Sequence, residues 1–219
     1  EACRISRTPH LVFASSSSVY GANAKLPFSE HDGVDHPISL YSATKRANEL
    51  MAHSYAHLYG LPATGLRLFT VYGPWGRPDM AYYAFTRNIL TGEPIEVFNH
   101  GRHRRDFTYI DDVVGRVVSV MDEVPQPNED WNPQEPDPAT SNAPFRLYNI
   151  GNGQPVYVDD LIAAIETAAG KKATRLNLEM QPEDMLETWA DCSDLDALYE
   201  DIPATDIADG VTRFVRWFK

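Results

Sequence analysis

Two strand-like segments enclose one long helical segment, and this order constrains the fold more than any other feature of the chain. Residues 10–14 (HLVFA) are typical of a short buried strand, and residues 64–70 (TGLRLFT) of a second one. Between them, apolar residues recur at helical spacing from Ser39 to Tyr59, and Gly60 ends the segment. A strand, a crossover helix and another strand favour parallel pairing in a doubly wound α/β sheet.

The remaining sequence predicts further short elements of a smaller α/β part. The predicted strands are residues 95–98, 107–110 and 145–150. The predicted helices run from a cap at Asp79 to Gly92, over residues 113–121 from a cap at Asp111, from Asp159 to Gly170, and from Thr205 to Phe218. Residues 124–144 are rich in proline and acidic residues, and we predict an ordered loop or a mobile lid there.

Composition argues against several classes of protein. A net charge of −12 provides no broad basic surface for a nucleic acid. No apolar run approaches the roughly 20 residues that span a bilayer, and we expect no membrane association. Cys3 and Cys192 lie far apart outside any C-x-x-C unit, which favours the reducing cytoplasm. His100 and His103 have no third ligand at metal spacing, so we predict no metal site.

Tyr41 and Lys45 are the first candidates for chemistry. They are four residues apart in the predicted helix, so their side chains project from one face. An isolated phenol has a pKa of about 10, and an adjacent ammonium favours the phenolate. This pairing makes Tyr41 a candidate general base. The alternative is that both are solvated residues on an amphipathic helix.

Five sequence blocks carry a resemblance to a known family. They are SSSSVYG at 15–21, DHPISLYSATKRANELMAHSYAHLYGLP at 35–62, LRLFTVYGPWGRPDMA at 66–81, RRDFTYIDD at 104–112 and YNIGN at 148–152. In this order they resemble the extended short-chain dehydrogenase/reductase family, specifically its NAD-dependent nucleotide-sugar epimerases. Among these, the chain is most similar to the members that act on UDP-glucuronate.

The family's Gly-x-x-Gly-x-x-Gly turn, which receives the cofactor pyrophosphate, has no counterpart here. The resemblance thus implies an N-terminally truncated chain: a partial Rossmann-like doubly wound parallel sheet, without its first strands, and a smaller C-terminal substrate-binding α/β subdomain. Residues 1–75 are expected to belong to the NAD-binding domain and residues 76–219 mainly to the substrate subdomain. Residues 111–122 and 145–151 are expected to return to the Rossmann core. Such a chain should bind NAD poorly or not at all.

The resemblance also implies roles for individual residues. Tyr41 is expected to remove the proton of the sugar 4-hydroxyl, while Lys45 assists it and holds the nicotinamide ribose. Ser16 is expected to hydrogen-bond the reacting oxygen. Phe69 is assigned to the cofactor, and the substrate contacts are assigned to Ser17, Ser18, Thr70, Arg77, Arg105 and Asp184. Glu183 replaces the glycine that the family often has beside this last residue, which leaves the nucleotide contacts there open.

The implied reaction is NAD-dependent epimerisation at C4 of a UDP-hexuronate, converting UDP-glucuronate to UDP-galacturonate in a cytoplasmic homodimer. Related dehydratases and decarboxylases carry a carboxylate beside the catalytic serine, whereas this chain has Ser17 and Ser18 there. Arg77 matches the residue that holds the sugar carboxylate, a task suited to a planar guanidinium. Its alternative is an ion pair with Asp79. Two other functions stay open: another nucleotide-sugar epimerase or dehydratase, and a non-catalytic module that binds a nucleotide sugar.

Overall fold

The computed structural model describes residues 1–180, 185–199 and 204–219, which form two compact units. The first unit contains Glu1–Phe69, Val114–Gly151 and residues 190–199. The second unit contains Thr70–Val113, residues 152–180 and 185–189, and residues 204–219. The chain passes from the first unit to the second between Phe69 and Thr70.

Strands and helices alternate along the chain. The strands are β1 (Leu11–Ala14), β2 (Ala63–Leu68), β3 (Thr70–Tyr72), β4 (Ile95–Phe98), β5 (Arg104–Arg105), β6 (Phe107–Tyr109), β7 (Phe145–Ile150), β8 (Val156–Tyr157) and β9 (Arg175–Leu178). The helices are α1 (Ala2–Ile5), α2 (Leu40–Tyr59), α3 (Ala81–Thr91), α4 (Ile110–Asp122), α5 (Val158–Ala169), α6 (Ser193–Asp196) and α7 (Ile207–Phe218). Within the described residues, every helix is too short or too polar to cross a membrane.

A parallel three-stranded sheet is the centre of the first unit. Its strand order is β1-β2-β7, and α2 is the crossover that joins β1 to β2. Ser39 begins this helix by accepting the Ser42 amide at 3.1 Å, and Gly60 ends it in a left-handed conformation. Small residues on α2, Ala52 and Ala56, allow it to pack closely against the sheet. The predicted α/β class with parallel strands is therefore confirmed.

Aromatic and aliphatic side chains together make the core of the second unit. Helices α3, α5 and α7 pack around it, and the Tyr82 and Phe214 rings meet edge to face at 5.0 Å. Asp206 caps α7 by accepting the Ala208 amide at 2.8 Å. Three two-stranded sheets complete the unit: β3–β6 and β4–β9 are parallel, and β5–β8 is antiparallel.

Two predicted helix caps are wrong. Helix α3 begins after Met80, and the carboxylate of Asp79 instead accepts a hydrogen bond from Arg77 at 3.0 Å. Helix α4 already begins at Ile110, which places Asp111 inside its first turn. There the carboxylate still faces the positive end of the helix dipole. Strand β9 was not predicted, because its four residues (RLNL) are largely exposed and too few for a clear alternation.

Residues 123–144 are all described, and they form no helix or strand, as predicted for this segment. Side chains hold the segment in place. Asn128 donates to Thr140 at 3.2 Å, and the indole of Trp131 donates to the Asp137 carbonyl at 3.3 Å. Asp137 also contacts His31, whose other ring nitrogen lies 2.9 Å from Asp194. The segment is therefore an ordered loop within the first unit.

Candidate functional site

A serine-rich turn follows directly on strand β1. Ser16 begins a 3₁₀ turn over Ser17–Tyr20 and accepts the Ser18 amide through its hydroxyl at 3.2 Å. The Ser18 hydroxyl oxygen is buried and has no hydrogen-bond partner among the described residues. Unpaired buried hydroxyls are costly in folded proteins and therefore rare. The turn thus contains one serine whose hydroxyl bonds the turn's own backbone and one whose hydroxyl lacks a partner in the described part of the chain.

Gly21 ends this turn with φ at 53° and ψ at −119°, a backbone conformation that residues other than glycine rarely adopt. A Cβ atom here would lie 2.1 Å from the backbone oxygen of His36. That oxygen accepts the Ala22 amide at 3.1 Å. The close approach holds the segment that leads into α2 against the serine turn.

Tyr41 and Lys45 lie in the first turns of α2, because Ser39 fixes where this helix begins. The Lys45 ammonium donates to the carbonyl of Ala14 at 3.0 Å, and it lies 5.9 Å from the centre of the Tyr41 ring. The Tyr41 side chain is 55% exposed, so its phenol is accessible to a ligand. The helix therefore places an accessible phenol beside an ammonium that is fixed to the end of β1, two residues before Ser16.

Phe69 follows directly on β2. Its amide donates to the Ile150 carbonyl at 3.0 Å, and its buried ring lies 6.2 Å from the Tyr20 ring. The carboxyl ends of β1 and β2 lie at one edge of the sheet, where open α/β sheets bind their ligands. The predicted residues of the first unit, Ser16, Ser17, Ser18, Tyr41, Lys45 and Phe69, thus belong to this edge or to the helix that crosses over from it. The cofactor role of Phe69 stays a prediction.

A buried charged cluster connects the same elements, and the sequence did not indicate it. Glu49 on α2 accepts from the Ser15 hydroxyl at 2.5 Å and from two Arg67 nitrogens at 3.0 and 3.1 Å. Burial raises the pKa of the Glu49 carboxyl, but the hydrogen bonds and charge of Arg67 outweigh it, so this pKa lies below its usual value. In the sequence, Lys45 and Glu49 have the spacing of an ordinary surface ion pair on a helix. Only the fold shows that Glu49 points to the sheet.

A second polar cluster begins at Tyr20, the last residue of the serine turn. The Tyr20 hydroxyl donates to Asn149 at 2.7 Å, and the Asn149 amide donates to Glu30 at 3.1 Å and to the Phe28 carbonyl at 2.8 Å. Burial raises the pKa of the Glu30 carboxyl. Asn149 belongs to the YNIGN block, so this cluster gives that block a structural role in the first unit.

The other predicted residues belong to the second unit. Thr70 opens β3, where its amide donates to the Asp106 carbonyl at 3.2 Å. Arg77 forms an ion pair with Asp79 at 3.0 Å, with both side chains largely exposed. Arg105 donates to the carbonyls of Arg104 and Leu186 at 3.0 and 3.3 Å. Asp184 lies outside the described residues, so its predicted contact is not placed.

The Arg77–Asp79 pair matches the alternative that the sequence left open, but it does not decide between the two roles. Exposed ion pairs contribute only about 0–1 kcal/mol to stability. A ligand carboxylate could therefore replace Asp79 at little cost. The binding role of Arg77 stays a prediction.

Comparison with known proteins identifies related sequences over almost the whole chain. The sequence profile described as the NAD dependent epimerase/dehydratase family matches residues 1–132. Protein CapI of Staphylococcus aureus is 52% identical over 209 residues, which are 95% of this chain and 63% of that protein. A Rhizobium meliloti (strain 1021) protein named "Probable UDP-glucuronate 4-epimerase" is 49% identical over 210 residues, 95% of this chain and 62% of its own length.

Solved structures agree. The crystal structure of UDP-glucuronic acid 4-epimerase from Bacillus cereus, in complex with UDP-glucuronic acid and NAD, superposes with a TM-score of 0.80 at 30% identity and covers 99% of this chain and 63% of that one. The chain therefore spans less than two thirds of the length of these relatives. The family profile nevertheless matches more than half of the chain, and the resemblance seen in the five sequence blocks is confirmed. The chain belongs to the NAD dependent epimerase/dehydratase family.

Proposed function

We propose that this chain supplies the proton-handling and sugar-recognising part of an enzyme that epimerises C4 of a UDP-hexuronate, interconverting UDP-glucuronate and UDP-galacturonate. The observation that carries the proposal is the placement of Tyr41 and Lys45. An accessible phenol lies beside an ammonium anchored to the end of β1, next to the serine turn. The Bacillus cereus relative binds UDP-glucuronic acid and NAD, which supports UDP-glucuronate as the substrate and NAD as the cofactor.

In this proposal Tyr41 accepts the proton of the sugar 4-hydroxyl. Ser16 orients the reacting oxygen, and Ser17 and Ser18 contact the sugar, as the family resemblance implies. The turn at Ser16, Ser17 and Ser18 contains no carboxylate. A general acid for the elimination of water is therefore absent from the turn itself, which favours epimerisation over dehydration.

The residues of the first unit also fit part of an NAD site. Lys45 is partly exposed beside the carboxyl end of β1, where it would hold the nicotinamide ribose together with Tyr41. NAD, when bound, supplies the hydride acceptor and donor for carbon C4. The glycine-rich turn that receives the pyrophosphate is not in this sequence, so the chain by itself should bind NAD weakly.

We also propose that the protein works in the cytoplasm as a homodimer. Exposed apolar side chains of α2 support self-association, because large apolar residues exposed together on one helix favour a protein contact. They are Leu40, Leu50, Met51, Leu58 and Tyr59, each more than half exposed.

The function is tested on the longer protein to which this proposal assigns the chain, called the full-length protein below. It is incubated with NAD and UDP-glucuronate, and the products are separated by anion-exchange chromatography. We expect UDP-galacturonate to form until the two sugars reach equilibrium. The absence of UDP-galacturonate would contradict the proposal. Calorimetry of the 219-residue chain with UDP and with NAD then distinguishes the alternative: binding of UDP in a protein that never turns over would indicate a non-catalytic module.

Replacing Arg77 by Ala should raise the KM for UDP-glucuronate about 10- to 100-fold, because a hydrogen bond to a charged group is worth about 1.5–3 kcal/mol. The kcat/KM for UDP-glucose, which has no carboxylate, should change little. Arg87→Ala is the matched control, since Arg87 is also an exposed arginine of the second unit and its side chain bonds only its neighbour Asn88 among the contacts described. Equal losses for both sugars would remove the specificity role of Arg77.

A further inference from the structure

The Glu49 carboxylate accepts four hydrogen bonds, which come from three residues of the first unit. Its Oε1 atom accepts from the Ser15 hydroxyl at 2.5 Å and from Arg67 Nε at 3.0 Å. Its Oε2 atom accepts from Arg67 Nη2 at 3.1 Å and from Arg46 Nη1 at 3.0 Å. Ser15 follows β1, Arg67 lies in β2, and Arg46 lies on α2 beside Glu49. One carboxylate therefore connects the helix to the serine turn and to the central strand.

This cluster tolerates little displacement. Glu49 is 1% exposed and Arg67 is fully buried, so neither charge can exchange its partner for water. Arg67 binds the carboxylate through two parallel hydrogen bonds, a geometry that fixes orientation as well as distance. The Arg67 guanidinium also lies 4.9 Å from the centre of the Tyr20 ring, within the serine turn. Breaking such a pair leaves a buried charge without compensation.

The position of Glu49 along α2 lets the cluster determine where Tyr41 and Lys45 lie. Lys45 lies one helical turn before Glu49, and Tyr41 lies two turns before it. A helix transmits a shift or rotation along its length, because each turn is hydrogen-bonded to the next. Fixing Glu49 against β2 therefore fixes how far the phenol and the ammonium extend beyond the strand ends.

We propose that Glu49 and Arg67 are positioning residues that hold α2 and the serine turn in register, so that Tyr41 and Ser16 reach the same substrate hydroxyl. The proposal rests on the function proposed above. It assigns to the cluster a role beyond stability, because the carboxylate contacts Ser15, which directly precedes Ser16, and lies on the helix of Tyr41.

The experiment compares Glu49→Gln, Arg67→Lys and Ser15→Ala with the control Arg46→Gln in the full-length protein loaded with NAD. Arg46 bonds Glu49 from the same helix, so its loss leaves the links to β2 and to the turn intact. For Glu49→Gln we expect kcat per NAD-loaded protein to fall about 100-fold, the loss that a displacement of about 1 Å can cause. The KM for UDP-glucuronate should stay within about threefold, since the proposed carboxylate contact of Arg77 belongs to the second unit. Arg46→Gln should keep kcat within about twofold.

Ser15→Ala covers the case in which Glu49→Gln does not fold, because it deletes only one hydroxyl. Its kcat should fall about tenfold without a change in NAD content. If Ser15→Ala and Arg67→Lys are folded, NAD-loaded and as fast as the wild type, the cluster is only structural and the proposal is overturned. Activity loss that follows the unfolded fraction in each variant would overturn it as well.

Hydrogen exchange of the 219-residue chain provides a readout that does not depend on activity. In Ser15→Ala, the amides of residues 16–21 and of the first turn of α2 should exchange faster, while the β2–β7 amides keep their wild-type rates. Equal acceleration everywhere would show a purely global effect and would contradict the positioning role. If the wild type fails to epimerise any UDP-hexuronate but this local pattern appears, the coupling is supported and the proposed function alone has failed.

Discussion

Replacing Tyr41 by Phe is expected to lower kcat of the full-length protein about 10²- to 10⁴-fold, the contribution of a positioned general base. The variant removes the only atom of the phenol that can accept the proton, and it keeps the ring. Because Tyr41 is 55% exposed and the change removes one oxygen atom only, the fold should be unchanged. Turnover of UDP-glucuronate at saturating concentration measures the loss.

Tyr59→Phe is the matched control for this experiment. Tyr59 ends the same helix, is 53% exposed and lies near Arg4, far along α2 from Lys45. Its variant should keep wild-type kcat, and both variants should retain the same amount of NAD per protein, measured by absorbance after release. A Tyr41→Phe protein that turns over at the wild-type rate would exclude Tyr41 as the base.

Gly21→Ala should destabilise the chain by about 2–6 kcal/mol, which combines a cost of about 1–3 kcal/mol for this unfavourable φ and ψ with an overpacking cost of about 1–3 kcal/mol. The added Cβ would lie 2.1 Å from the His36 oxygen, which is a backbone atom and cannot rotate away. Urea unfolding of the chain, followed by far-ultraviolet circular dichroism, measures the change.

Gly60→Ala is the comparison variant. Gly60 has φ 63° and ψ 25°, the left-handed helical region, whereas Gly21 has ψ −119°, and a Cβ at Gly60 meets no atom within 4 Å. Its variant should therefore lose only about 1–2 kcal/mol, the backbone cost alone. Equal destabilisation by the two variants would show that the close approach at His36 does not hold the turn.

Five of the nine strands (β1, β2, β4, β6 and β7) and the long helix could be predicted from their apolar patterns, whereas β3, β5, β8 and β9, with two to four residues each, were not. Strand β7 was predicted with its observed bounds, and α2 within one residue of its start. The predicted start of a helix was wrong where the expected capping side chain bonds another residue. Asp79 was a reasonable cap by residue type, but its carboxylate bonds Arg77, and α3 begins one residue later without a side-chain cap.

The site could be predicted only where local spacing determines it. Tyr41 and Lys45 face the same way because both lie on one helix, and the serine turn follows β1 because the run of serines cannot continue a buried strand. Glu49 and Arg67 are 18 residues apart and meet only through the parallel pairing of β1 and β2. Nothing in a single sequence distinguishes a buried glutamate of this kind from the solvated acids elsewhere on the chain.

The hydrogen bond from Lys45 to the Ala14 carbonyl has a consequence for how this sequence can diverge. The acceptor is a main-chain oxygen, which every amino acid provides. Substitutions at position 14 can therefore accumulate while the ammonium keeps its place, as long as strand β1 persists. Descendants of this gene should therefore vary at position 14 while they keep the lysine at position 45. What they must conserve as its partner is the strand backbone.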